Sequence, residues 1–274
     1  MNNTKIISFI NMKGGVGKTT TTINVADTLV RHFGKNVLVI DMDPQFNASQ
    51  ALFTKYKSIN EYNMLRKERK TIASVVMESR GSGITREEPT YSHEDLVIEL
   101  HKTSDDKKLF LIPGDLELID YESSRRGAEK ILTGYIQDSI LKNYDLDYIL
   151  IDTPATYSIY SQASLLASNY YLVPIAPDVF STLGYSLLHK VMKKDYALRG
   201  HDIKNIGIIF TLCKDERQGR NTVQESFEEE PHFENKITEY ERIRTGKLST
   251  LMYDMEFTKQ EIINLCNEFI DKAN

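Results

Sequence analysis

The stretch KIISFINMKGGVGKTTTTINVADTLVRHFG, residues 5–34, constrains the fold more than any other. It opens with a short apolar run, residues 5–10, that reads as a buried strand. Gly14, Gly15 and Gly17 follow, and they allow backbone conformations closed to other residues. Beyond them, Ile23, Ala26, Val30 and Phe33 recur at helical spacing up to a stop at Gly34. A second apolar run, NVLVID, ends in carboxylates. Strand, glycine loop, helix and strand within about 40 residues make a βαβ unit, which belongs in a parallel sheet covered by helices.

The alternation continues along the chain. KLFLIPGDLEL is a strand ended by Pro113 and Gly114, AEKILTGYIQDSIL an amphipathic helix, and DYILIDTP a buried strand closing on an acid. ASLLAS and YYLVPIAP read as helix then strand, STLGYSLLHKVMKKDYAL as helix and NIGIIFTLCK as strand. The final FTKQEIINLCNEFIDKA sets Ile262, Leu265 or Cys266, and Phe269 on one helix face. Residues 54–105 are polar and turn-rich around one short helical run, TIASVVM. They hold too little apolar material for a core of their own and read as a surface excursion. The expected fold is α/β: residues 1–274 form a single-domain P-loop NTPase, with a mostly parallel twisted sheet flanked by helices on both faces.

Composition narrows the classes. A chain of 274 residues, 41% hydrophobic and 27% charged, is ordinary for a soluble globular protein with a sizeable core. The net charge of −5 gives no global basic field, so nucleic acid would need a local patch. Cys213 and Cys266 lie far apart and form no C-x-x-C, so neither a disulfide nor a zinc knuckle is expected, and a reducing cytoplasm fits. The first apolar run is too short for a signal peptide. No run approaches the roughly 18 apolar residues of a membrane span.

The glycine loop carries the chemistry. Successive N–H groups of Gly14, Gly15, Val16 and Gly17 can converge on an anion, and a helix starting at about Lys18 adds its positive end. Lys18 would neutralise the β and γ phosphates, and the Thr19 hydroxyl, followed by Thr20, would hold Mg²⁺. The strict pattern G-x-x-x-x-G-K-[ST] fails at its first glycine, which is Met12 here. Asp152 closes the run YILID as a Walker B aspartate does to hold the Mg²⁺ shell. Asp41 and Asp43 end VLVIDMDPQ on a strand expected beside that of the loop, where one of them could orient the attacking water. Lys13 lies outside the minimal loop.

KGGVGKTT, VLVIDMDPQFNAS, LFLIPGDLEL, DYILIDTPAT and ASLLASNYYLVPIAPDVFSTLGYSLL, in this order and spacing, resemble the ParA/Soj-type partition ATPases. These stand with MinD and the nitrogenase iron protein in the deviant Walker A class. The resemblance runs from about residue 5 to 215. It implies ATP and Mg²⁺ as cofactors and a homodimer in the ATP state. Lys13 would then reach across that dimer to the partner's phosphates, a finger in trans. It also implies slow ATP hydrolysis stimulated by a ParB-like adaptor. One departure is TPAT, with Pro154 then Ala155, where the family usually has two prolines. TLCKDE lacks the guanine-reading N-K-x-D, so adenine follows from the resemblance, with Thr211 and Asp215 bordering the base.

Several relatives are disfavoured. No cysteine precedes residue 213, against a nitrogenase-type reductase, and the iron–sulfur scaffold's C-x-x-C and the tyrosine kinases' terminal cluster are absent. The last helix carries Glu256, Glu261, Glu268 and Asp271 against Lys259 and Lys272, so an anionic membrane would repel it. DNA-linked partition remains. The loop begins too early for a preceding helix-turn-helix, so operator recognition is not expected. Short family members bind double-stranded DNA without sequence preference, through basic residues in the C-terminal half. Candidates are Lys190, Lys193 and Lys194 in one cluster and Arg242, Arg244 and Lys247 in another. The function expected from the resemblance is an ATP-dependent dimerising ATPase that positions or segregates DNA, in plasmid or chromosome partition. It would be cytoplasmic, and nucleoid-associated when ATP-bound. The alternative is an ATP-gated protein scaffold or regulator, MinD-like, without DNA binding.

Overall fold

The computed structural model describes residues 4–77, 92–178, 180–213, 225–239 and 250–274. Its strands are β1 (Lys5–Phe9), β2 (Val37–Asp41), β3 (Ile98–Lys102), β4 (Lys108–Ile112), β5 (Tyr148–Asp152), β6 (Tyr170–Ile175) and β7 (Lys204–Phe210). They form one sheet in the order β3-β4-β2-β5-β1-β6-β7, parallel except where β3 runs against β4. The helices are α1 (Lys18–Arg31), α2 (Asn47–Tyr56), α3 (Ile59–Lys67), α4 (Ile72–Met77) and α5 (His93–Leu96). Next, α6 (Ile131–Tyr135) continues through a π turn (Ile136–Ile140) into α7 (Leu141–Asn143). Then come α8 (Ile159–Ala167), α9 (Ser181–Lys194) and α10 (Glu256–Lys272).

Successive strand residues point to opposite faces, and here both faces are apolar. Val37 and Val39 of β2 join one core, and Leu38 and Ile40 the other. β5 divides the same way, Tyr148 and Leu150 against Ile149 and Ile151. On the first face lie α1, α2 and α10; on the second lie α4, α6 and α8. The third core, under α9, takes Val173 and Ile175 of β6 with Tyr185 and Leu188. The apolar face read on the last helix packs inward: Ile262, Leu265, Cys266 and Phe269 are buried, and the Phe269 ring lies 6.5 Å from Phe9 and 5.7 Å from Tyr148. Among the described residues no helix is long and apolar enough to cross a membrane.

Two findings differ from the sequence reading. β2 does not lie beside the loop strand β1; β5 stands between them. The register still brings the acids level, because Asp152 pairs with both Phe9 and Asp41. Parts of the 54–105 stretch also pack inward. Tyr62 of α3, Ile72 and Val76 of α4, and Leu100 of β3 are buried, and β3 is the antiparallel edge of the sheet. The carboxyl ends of β1, β2 and β5 thus share one edge, the place where open parallel sheets bind ligands.

Candidate functional site

The loop between β1 and α1 is shaped by its glycines. Gly15 and Gly17 hold φ of 71° and 81°, in the left-handed region that a side chain disfavours. Gly17 is also the N-cap of α1 and makes no side-chain capping bond, so the helix's first N–H groups are left for a ligand. Behind the loop, the Thr211 hydroxyl donates to the Val16 carbonyl at 2.6 Å. Thr211 is buried and supports the loop from behind, rather than bordering a base on the cavity wall as the sequence reading expected. Its neighbour Leu212, at φ 52°, lines the cavity instead. Asp215 lies outside the described residues.

The two lysines have different surroundings. Lys18 is buried, with its ammonium 3.3 Å from the Lys13 carbonyl. Burial lowers its pKa, against the opposing pull of Asp152 and Asp43. Lys13 is half-buried at the loop's start, where its backbone N–H donates to Asn11 Oδ1 at 2.9 Å. Its ammonium is ion-paired with Asp178.

The three acids also differ. Asp152 is fully buried and accepts a hydrogen bond from the Thr19 hydroxyl at 2.7 Å, with Thr22 Oγ1 farther off at 3.5 Å. Burial and the nearby Asp41 hold its pKa well above the ordinary carboxylate range. Asp41 is equally buried, but faces structure: Oδ2 accepts from the Ser49 N–H at 2.8 Å and hydroxyl at 2.7 Å, and Oδ1 from the Asp43 N–H at 3.3 Å. Burial pushes its pKa up to about 7. Asp43 is half-buried and lines the cavity, with Oδ1 accepting from the Gln45 N–H at 2.9 Å. Burial raises its pKa, opposed by that bond and by Lys18.

These groups bound a cavity of about 780 Å³, a size that suits a small-molecule ligand. Residues 14–20 and Asp43 form one part of its wall, Pro154 and Ala155 another. Among the other lining residues, sequence reasoning missed Asn24, Thr250, Leu251 and Met252. Asn24 fastens that wall, since its Oδ1 accepts from the Met252 N–H at 2.7 Å and its Nδ2 donates to the Thr20 carbonyl at 2.7 Å. The signal, had it been read, is a lone amide on the buried helix that follows the loop. Lys190, Lys193 and Lys194 lie exposed near the C-terminal end of α9, remote in sequence from the loop; Arg242, Arg244 and Lys247 lie outside the described residues.

A family model described as an AAA domain (AAA_31) matches residues 4–203, which run from the residue before β1 to the residue before β7. The chain belongs to that family. With its relatives it is a ParA/Soj-type ATPase of the deviant Walker A class. The virulence plasmid ParA family protein pGP5-D of Chlamydia psittaci is 28% identical over 222 residues, covering 80% of this chain and 73% of that one. The sporulation initiation inhibitor protein Soj of Bacillus subtilis is 25% identical over 210 residues, covering 76% and 72%. In fold, the chain is similar to a putative plasmid partition protein from Borrelia burgdorferi, crystallised with AMPPNP. The TM-score is 0.77 at 22% identity, over 98% of this chain and 99% of that one.

Asp41 makes a testable contribution to stability. Its pKa rises from 3.8 unfolded to about 7 folded, so between those values the folded protein holds more protons than the unfolded chain. Stability therefore falls as pH rises through that window. Asp41→Asn keeps an acceptor for Ser49, gives up the long bond from Asp43 and removes the charge. In urea unfolding without nucleotide, the variant should gain on the wild type steadily from about pH 4 to pH 7. Parallel pH profiles for the two proteins would refute this.

Proposed function

We propose that the chain is an ATP-dependent dimerising ATPase that positions or segregates DNA, with hydrolysis stimulated by a ParB-like adaptor. The observation that carries this is the Thr19–Asp152 bond at the foot of a glycine loop whose two lysines are placed differently, Lys18 inside and Lys13 at the rim. The names of the Chlamydia and Bacillus relatives support the partition setting, and the AMPPNP complex of the Borrelia protein supports a nucleotide ligand.

The donor set fits Mg²⁺ with nucleotide. Thr19 and Asp152 offer hard oxygens, and among the described residues no cluster of three or more His, Cys, Asp or Glu could hold a metal by itself. A Mg²⁺ ion bound by few protein ligands and completed by phosphate oxygens suits such a site. When bound, it supplies positive charge to the β and γ phosphates. The chain's own residues do the rest. The N–H groups of residues 14–17 and the uncapped end of α1 hold the phosphates, and Lys18 adds a buried positive charge. Asp43, on the cavity wall, orients the attacking water. Asp41 acts through its hold on the Ser49 turn. Lys13 serves the neighbouring subunit's nucleotide.

Lys18→Ala should abolish nucleotide binding, because the loop loses its main counter-charge. Lys13→Ala should leave monomer binding largely intact and remove ATP-dependent dimerisation and hydrolysis. Equilibrium nucleotide binding and sedimentation of the two variants decide the matter; equal loss of nucleotide binding in both would refute the role in trans.

Asp43→Ala should permit ATP binding and dimerisation while lowering kcat by roughly 10²-fold or more. Phosphate release measured beside dimer lifetime tests this. Normal turnover in the variant would pass the role to Asp41.

The DNA limb rests on the basic clusters. α9 carries Lys190, Lys193 and Lys194 exposed, with no acid between Ser181 and Lys194. Dimerisation doubles any such patch, and counterion release makes the gain steep. ATP-loaded protein should therefore bind duplex of random sequence, and binding should fade between about 50 and 200 mM salt. Replacing the three lysines with alanine should flatten the salt slope and spare dimerisation. Fluorescence anisotropy with and without ATP is the measurement. No binding at low salt and micromolar ATP-loaded protein would leave the protein-scaffold reading, which the net charge of −5 also favours.

A further inference from the structure

Lys13 has a partner in its own chain. Its ammonium is ion-paired with Asp178 Oδ2, a residue just past the end of β6. The other oxygen of Asp178, Oδ1, caps the turn entering α9: it accepts from the Phe180 N–H at 2.9 Å and the Ser181 hydroxyl at 3.1 Å. The main chain of Lys13 is fixed to the same region. Its N–H donates to Asn11 Oδ1, and Asn11 Nδ2 donates to the Pro174 carbonyl at 2.7 Å. Exchange of Lys13 between partners is therefore a side-chain movement from an anchored backbone.

We propose that Asp178 is a positioning residue that holds Lys13 in cis, so that dimerisation has to break one such pair in each subunit. The proposal rests on the trans role of Lys13 given above. The pair is open enough to exchange, since its side chains are 36% and 41% exposed. Solvent screening keeps a pair of that kind weak, so pairing lowers the share of chains with Lys13 open by about two- to five-fold. A symmetric dimer opens two pairs, so the factors multiply. The dimerisation constant should be weakened by about four- to twenty-five-fold relative to a chain without the acid.

Asp178→Asn separates the two jobs of the carboxylate. Asparagine keeps an Oδ1 that can accept from the Phe180 N–H and the Ser181 hydroxyl and carries no charge; Asp178→Ser, whose hydroxyl can close the same turn, is a second neutral variant should the first fold poorly. The experiment is sedimentation velocity of wild type, both neutral variants, Lys13→Ala and Asp178→Asn/Lys13→Ala, with a non-hydrolysable ATP analogue. It is run at about 50 and about 300 mM salt, which shortens the screening length. The neutral variants should reach half-dimerisation at about four- to twenty-five-fold lower protein concentration than wild type, with the gap narrowing at high salt. Lys13→Ala and the double variant should both fail to dimerise. Unchanged or weaker dimerisation in the neutral variants, with Lys13→Ala still defective, overturns the hold in cis and leaves the trans role standing. Normal dimerisation of Lys13→Ala overturns both.

Discussion

Asp152 is a carboxylate at the end of a strand that is buried along its whole length, and the Thr19 hydroxyl donates to it at 2.7 Å. A charge in that position is costly unless it is hydrogen-bonded, and the bond comes from the first turn of α1. Thr19 and Thr22 are three apart, so they share one helix face and both turn toward the acid. The helix is thereby fixed in rotation and height against the sheet. The loop that joins it to β1 must close over a short span, and Gly15 and Gly17 take the left-handed conformations that this demands. The position of the loop's N–H groups thus follows from where one buried acid finds its partner.

The second buried acid organises the opposite wall. Asp41 takes both hydrogen bonds that Ser49 can give through its N–H and hydroxyl, while the Ser49 oxygen accepts from the Gly114 N–H at 2.8 Å. A side chain at Gly114 would bring its Cβ within 2.9 Å of Asp41 Cγ, so only glycine allows this approach. The Gly114 carbonyl in turn accepts from the Tyr62 hydroxyl at 2.9 Å, which ties α3 into the same knot. Asp43 is two residues away and free of these duties. The pair divides the work: Asp41 fixes the turn from β2 into α2, and that turn presents Asp43 to the cavity.

What the sequence revealed follows from these same forces. β1, β2, β5 and β6 are apolar runs because they are covered on both faces, and such runs stand out against polar surroundings. The loop and α1 were legible because glycine spacing and a helical repeat are local signals. β3 was not, since an antiparallel edge strand needs only one apolar face, and Glu99 and Lys102 interrupt its pattern. The strand order was equally hidden: β2 follows β1 in the chain, yet β5 pairs with both. Thr211 and Asn24 needed coordinates, because their roles depend on contacts across 195 and 228 residues of chain.

The two lysines of the loop differ in burial. Lys18 is enclosed with Asp152 and Asp43 nearby, and its charge is lowered in affinity for a proton by burial and sustained by those acids. Such a charge stays with its site, because the side chain is enclosed beside Asp152 and Asp43. Lys13 stands where solvent reaches both members of its ion pair. Coulomb attraction there is weak and water competes for each partner, so the ammonium can change partners at small cost. Five positions in sequence separate a fixed counter-charge from a transferable one, and the difference lies in solvent access.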